Sequence, residues 1–347
     1  DTLDPTITPR ESGLVLPPDE IRQLLSEKGI VGMGGATFPT HVKYAPQSSG
    51  RIIDTVILNG IECEPFITAD YRILIEHADE VIRGLKYFLK ASLANKGIIA
   101  IEDNKPRAIE LFNQLTADDP NISIVVCPEK YPQGSERHLI YAVTGRVVPE
   151  RALPSAVGVI VDNVATAMQA ALAVKDDLPC YERIVTVSGN SVHKPGNYRV
   201  RIGTLYSHLV EQGAQGLKNA PARIISGGPM MGFSLHSLDF PVLKGTGGLL
   251  LFDHKSELAK LPPENPCVRC GKCVDTCPMF LEPTQLFKAV KRRDWPAALA
   301  GHVGTCIECG SCAYNCPAHI PLVQYIRMGK QFILTDGFGG HNPYYKK

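Results

Sequence analysis

CVRCGKCVDTCP at residues 267–278 returns as CIECGSCAYNCP at 306–317, so that Cys267, Cys270, Cys273 and Cys277 are echoed by Cys306, Cys309, Cys312 and Cys316. Each run has the spacing C-x2-C-x2-C-x3-C-P, and the two together are the signature of a protein with two [4Fe–4S] clusters. Three thiolates two residues apart can each take one corner of a cubane, while the fourth, placed before a proline, is carried away to the other cluster. The spacing therefore assigns Cys267, Cys270, Cys273 and Cys316 to cluster one, and Cys306, Cys309, Cys312 and Cys277 to cluster two. Zinc also takes C-x2-C pairs, but its structural sites close with four ligands rather than with this triple-plus-one pattern twice over. A disulfide framework is the weaker reading, because a chain of 347 residues can bury a core large enough to need no staples. Cys63, Cys127 and Cys180 are expected to be ordinary buried thiols.

Outward from the cysteines, the chain is an ordinary globular one, with 44% apolar residues and a formal charge of +1. So small a charge removes any strong electrostatic case for nucleic acid or an anionic membrane surface as the main partner. The longest apolar stretch, 153–174, contains Asp162, Asn163 and Gln169, which lipid would leave costly to bury. It reads as strand, turn and helix, so no transmembrane segment is expected. No secretory leader pattern opens the sequence, and Asp1 in place of Met suggests a trimmed start. Free thiols and cubanes suit a reducing compartment.

From residue 18 to about 180 the pattern alternates helix and strand. A helix at 18–28 ends at Gly29, strands fall at 55–58, 97–101 and 122–126, helices at 70–94, 106–115 and 135–144, and a strand–turn–helix at 158–173. This is an α/β domain. Residues 183–188 and 198–202 then read as strands and 204–212 as a short helix, within a small β-rich domain. The proline-rich 261–266 leads into the cysteine module, where 283–300 reads as one helix with basic Lys288, Lys291, Arg292 and Arg293. Those charges are either a solvated face or a docking face for an acidic partner.

Four segments of the α/β domain carry chemistry-bearing residues: GMGGATFPTHVK at 32–43, NGIECEPF at 59–66, YPQGSE at 131–136 and VDNVAT at 161–166. The first is not the dinucleotide fingerprint, since Thr37 stands where a glycine is needed and Pro39 where a helix should run. Its glycines still let backbone amides approach a ligand, with Lys43 placed for a phosphate and Phe38 for a flat ring. A plain structural turn is the competing reading. The second segment follows an apolar strand directly, at the strand's carboxyl end where α/β sites lie.

Taken in order, these four segments resemble the FMN- and NADH-binding flavoprotein subunit of respiratory complex I. The β-rich segment resembles that family's β-grasp domain. GGPMMG at 227–232, KGTGG at 244–248 and CPAHIPLVQYIR at 316–327 narrow the resemblance to the family of Rnf-complex C subunits. The resemblance implies an α/β FMN/NADH-binding domain at 1–180, a β-grasp-like domain at 181–258 and an α-helical two-[4Fe–4S] ferredoxin-like domain at 259–347; the family normally has an extra N-terminal domain, whose absence here agrees with the start at Asp1. It implies FMN held by Gly32, Gly34, Gly35, Lys43, Asn59, Glu62, Gly134, Ser135, Glu136, Asp162, Asn163 and Thr166, with Phe38 and Glu64 facing NAD(H). Met33, Ile61, Cys63, Ser135 and Asp162 depart from the complex I pattern, which has arginine, aspartate, serine, glutamate and asparagine there.

The activity implied is hydride transfer between NADH and FMN followed by single-electron steps through the clusters, with no general base. In that setting the chain is a peripheral oxidoreductase subunit of an ion-translocating ferredoxin:NAD complex on the cytoplasmic face of the membrane. Its partners there are the membrane subunits and a ferredoxin-like subunit. A flavin and iron–sulfur cobalamin reductase shares the layout, and a relay subunit that has lost its flavin is the alternative from another class.

Overall fold

The computed structural model describes residues 6–10, 13–46, 52–150 and 152–334. The chain divides into two compact units, Asp1–Ala259 and Lys260–Lys347.

Unit one is built on two sheets. The first has four parallel strands in the order β3-β2-β1-β4, with β1 at Thr55–Gly60, β2 at Lys96–Glu102, β3 at Ile122–Cys127 and β4 at Val159–Asn163. Apolar runs such as Val56–Ile57–Leu58 and Ile98–Ile99–Ala100–Ile101 are buried throughout, as strands covered on both faces must be. One face packs under the helices Ala78–Ser92 and Val164–Lys175. These two approach so closely that a Cβ on Gly84 would stand 1.9 Å from the Ala167 carbonyl oxygen. The other face packs against Leu139 and Ile140 of the helix Glu136–Thr144.

The strand order locates the functional edge. From β1 the sheet grows through β2 to β3, and the chain then returns to the opposite side of β1 to lay down β4. The two strands flanking that reversal end side by side, with Asn59 paired in register to Asn163. Ligands of open parallel sheets bind at the carboxyl ends of strands where the order reverses.

One expected element differs. The apolar period over 70–94 reads as a single helix, but the chain forms two, Ala69–Glu76 and Ala78–Ser92, parted at His77 with φ −131° and ψ 33°. Neither glycine nor proline marks the break. The His77 N–H still bonds the Ile73 carbonyl and the His77 carbonyl still accepts from Val81 N–H, so the turn costs little hydrogen bonding.

The second sheet has five strands in the order β6-β5-β9-β7-β8, with β5 at Glu182–Ser188, β6 at Gly196–Arg201, β7 at Arg223–Ser226, β8 at Phe233–Leu235 and β9 at Gly248–Phe252. The wholly buried β9 runs parallel to β5 and antiparallel to β7. Val185, Val187, Leu249 and Leu251 pack there against Tyr206, Leu209 and Val210. The last three come from the expected helix, which is one α-turn, Tyr206–His208, widening into a π-turn at Leu209–Gly213.

In unit two the expected helix over 283–300 is again two, Pro283–Lys291 and Trp295–Ala300. Arg293 takes φ +57° between them, and Asp294 caps the second helix by accepting a bond from Ala297 N–H at 3.1 Å. Pro296 lies in that helix's first turn, where a missing N–H costs nothing. Leu322–Leu334 completes the core with Leu286, Val290, Ala298 and Ile326. Among the described residues no helix is long and apolar enough to cross a membrane.

Candidate functional site

At the reversal edge of the parallel sheet, side chains from all four singled-out segments meet. Asn59 Nδ2 donates to the Gly134 carbonyl at 2.9 Å, and its Oδ1 accepts from Ile61 N–H at 3.0 Å. Asn163 Oδ1 caps the helix Val164–Lys175 by accepting from Ala165 N–H at 2.8 Å, while its Nδ2 donates to Asp70 Oδ2 at 2.6 Å. Thr166 Oγ1 accepts from Met33 N–H at 2.9 Å and so draws the glycine loop to the strand ends.

That loop can come so near because it lacks side chains. A Cβ on Gly34 would stand 3.4 Å from Asn163 Cβ, whereas one on Gly35, at φ +115°, would meet nothing within 4 Å. Across the site, a Cβ on Gly134 would stand 2.7 Å from the Ile61 carbonyl oxygen. Glycine backbone beside open space is a cradle that a flat ring and its phosphate can fill. Phe38, on the outer part of the same loop, is exposed.

The charged residues are held mostly by one another. Lys43 Nζ donates to the Val161 carbonyl at 2.6 Å and to Asp162 Oδ1 at 3.2 Å, and Tyr44 Oη donates to Asp162 Oδ2 at 2.7 Å. Burial pulls the Lys43 ammonium down, but the carboxylates of Asp162 and Glu136 more than offset it, so its pKa is raised. Burial pushes Glu136 up while Lys43 pulls it back. Ser135 is the residue before the helix Glu136–Thr144, with its carbonyl accepting from Leu139 N–H at 2.8 Å.

Glu62 caps the helix Ala69–Glu76, accepting from Asp70 N–H at 2.8 Å and Tyr71 N–H at 3.1 Å. Burial, helped by repulsion from Asp70, pushes its carboxyl up to about 8. Glu64 accepts from Met230 N–H at 3.0 Å and Met231 N–H at 2.8 Å. Asp70, Tyr44 and Thr166's bond to Met33 complete this network. Asp70 and Tyr44 escaped notice in the sequence, although an acidic residue in the first helical turn after an acidic loop is a visible signal for Asp70.

The cysteine site in unit two is as regular in conformation as in spelling. Arg269 and Glu308 have φ +55° and +59°, Gly271 and Gly310 both +79°, and Phe280 and His319 both +54°. Arg269 N–H donates to Cys267 Sγ and Glu308 N–H to Cys306 Sγ, each at 3.4 Å. One cavity is lined by Cys306, Cys309 and Cys312 of the second run together with Cys277 of the first. In the mirror arrangement, burial raises the pKa of Cys273, and Cys316 of the second run lies near enough to add a last, small push in the same direction.

Burial pushes Cys306 up to about 11 and, with repulsion from Cys306, Cys309 and Cys277, Cys312 up to about 12. Iron–sulfur ligands are thiolates, and a bound cation deprotonates a coordinating thiol outright. Four thiols crowded around one cavity fit a cubane. Cys63 sits beside the first site as a thiol that burial raises to about 11, and Cys127 and Cys180 are buried. Of the basic residues in unit two, Lys291 pairs with Glu264 at 3.2 Å and lies over the ring of Phe287.

Three family descriptions match the chain in order: the Nuo51 FMN-binding domain at residues 25–172, the SLBB domain at 184–234 and the 4Fe-4S dicluster domain at 265–320. The chain is 42% identical over 335 residues to the C subunit of the Na(+)-translocating ferredoxin:NAD(+) oxidoreductase complex of Acetobacterium woodii, covering 96% of this chain and 75% of that one. The proton-translocating counterpart of Clostridium ljungdahlii is 44% identical over 77% of this chain, and the C subunit of the ion-translocating oxidoreductase complex of Citrobacter koseri 43% over 90%. Of those two relatives' own lengths, this chain spans 57% and 44%. A crystal structure of NAD+-reducing [NiFe]-hydrogenase in the H2-reduced state shares the fold with a TM-score of 0.62 at 22% identity, over 92% of this chain and 65% of that one.

Proposed function

This chain belongs to the family of C subunits of ion-translocating oxidoreductase complexes, and from that footing we propose that it moves electrons between NAD(H) and iron–sulfur carriers as a peripheral subunit of a ferredoxin:NAD oxidoreductase. The observation that carries this reading is the pairing, in one chain, of a glycine-lined cradle at the switch point of a parallel sheet with eight cysteines set for two cubanes. FMN, when bound, exchanges a hydride with NADH and single electrons with the clusters, so it converts pairs to singles.

The work left to the protein is binding, orientation and electrostatics. The amides of Gly34 and Gly35 and the Lys43 ammonium, kept charged by Asp162 and Glu136, would hold the FMN phosphate end. Asn59, Asn163 and Thr166 fix the loops around it through their mutual bonds. Gly134 to Glu136 would form the opposite wall, and exposed Phe38 would stack on the nicotinamide nucleotide. Cys267, Cys270, Cys273 and Cys316 would hold one cluster, and Cys306, Cys309, Cys312 and Cys277 the other, their N–H···S bonds and burial tuning the potentials.

In this arrangement residues 1–180 are the FMN/NADH-binding domain, 181–258 a β-grasp-like domain and 259–347 a helical two-cluster domain. The partners are the membrane subunits and the ferredoxin-like subunit, and the chain sits on the cytoplasmic face. The test is composition after anaerobic purification: FMN near one per chain and about eight irons are expected, with Cys277→Ser lowering the iron by about four. Iron at that level without flavin would replace the reading with a flavin-free relay.

A further inference from the structure

Two glycine-rich segments, GGPMMG at 227–232 and KGTGG at 244–248, stand outside the ligand cradle, yet both reach it. The turn 227–232 joins β7 to β8, and Gly227 N–H bonds the Gly248 carbonyl at 2.8 Å. On one side it is tied to the 59–66 loop, because the two oxygens of Glu64 accept from Met230 and Met231 N–H at 3.0 and 2.8 Å. The approach leaves no room, since a Cβ on Gly228 would stand 2.2 Å from Glu64 Oε2.

On the other side, a Cβ on Gly245 would stand 2.8 Å from Thr37 Cγ2 and 3.1 Å from the Gly35 carbonyl oxygen. Lys244 Nζ adds a bond to the Gly29 carbonyl at 2.6 Å. The five-stranded sheet thus grips both loops of the cradle. Further contacts fasten the same seam: Phe66 meets Phe252 edge to face with centroids 5.4 Å apart, and Thr68 N–H donates to Thr186 Oγ1 at 3.1 Å.

We propose that Glu64 is a positioning residue, whose carboxylate holds the 227–232 turn as a wall of the cradle and so sets how a nicotinamide nucleotide enters. The inference rests on the functional reading above and changes one part of it. The resemblance points Glu64 at the nucleotide, whereas here it acts on the nucleotide through the turn. A two-oxygen carboxylate grip on consecutive amides is a charge-assisted pair, strong for its size, while Gly227 at φ +97° makes the free turn pliant once that grip is gone.

The test compares the full chain with Glu64→Gln and Gly228→Ala by amide hydrogen exchange over 227–232, without nucleotide, and by equilibrium NADH binding and steady-state kinetics. Gly228→Ala leaves the carboxylate in place and pushes the turn off it, so it separates the grip from the charge. Both variants are expected to speed exchange at Met230 and Met231 by roughly tenfold and to raise KM for NADH several-fold with little change in kcat. Unaltered exchange in both variants would overturn the proposal, as would loss of kcat at unchanged KM in Glu64→Gln. A wild-type chain that binds no NADH would overturn the functional reading and the nucleotide half of this one, while exchange still decides the grip.

Discussion

The two sites of this chain are opposites in how their polar groups are satisfied. In unit one Lys43, Asp162, Tyr44, Asn163, Asp70, Asn59, Glu62 and Glu64 are already bonded to one another or to backbone amides. In unit two, burial and repulsion from neighbouring groups raise Cys306 to about 11 and Cys312 to about 12, so these two thiols keep their protons until a bound cation displaces them. The first site is built by the protein ahead of its ligand; the second is completed by its ligand. This follows from size: unit two packs short helices around a small core, and small domains lean on metals for stability.

The largest effect that could break this contrast is removal of iron. Chelation under reducing conditions is expected to abolish cooperative unfolding and protease resistance in residues 260–334, leaving the transition of unit one in place; loss of both together would erase the distinction. Next in size is Asp162→Ala, which takes the carboxylate from a half-buried ammonium and a buried hydroxyl. It should cost unit one about 3 kcal/mol in denaturant melts and release flavin, whereas a stable variant with full flavin would show that the network is dispensable.

A smaller effect comes from pH. Burial lifts Glu62 to about 8 from an ordinary 4.5, so the folded chain keeps a proton that the unfolded chain releases. The stability this gives is full below pH 4.5 and is lost as pH rises through 8. The Tm of unit one should therefore fall by a few degrees between pH 5 and 9, and Glu62→Gln should flatten that slope; equal slopes would assign the pH dependence elsewhere. The smallest is Asp294→Ala, which removes the cap at Ala297 N–H and should cost the iron-loaded unit two about 1 kcal/mol, leaving unit one unmoved.

The same contrast explains what could be read in the sequence. The expected cysteine pairing rests on spacing within two short repeats, and Cys277 lines one cavity with Cys306, Cys309 and Cys312. Two of the four segments, 59–66 and 161–166, were legible as strand-end motifs, since local patterning puts Asn59 and Asn163 at strand ends. Their partners were not, because Tyr44 with Asp162 and Glu64 with Met231 are contacts over 118 and 167 residues that no local signal encodes. The breaks at His77 and Arg293 stayed hidden since apolar spacing runs on through them. Strands β7 to β9 were missed because two are four residues or shorter and the third opens on glycines.

One chain here is proposed to join nicotinamide chemistry to single-electron carriers. An anaerobic titration of the purified chain with NADH tests it most directly, following flavin absorbance and the low-temperature EPR of reduced clusters in the same samples. The flavin is expected to bleach, and signals from both clusters to grow in step with added NADH. A flavin that stays oxidised, or clusters that remain silent until dithionite is added, would contradict it.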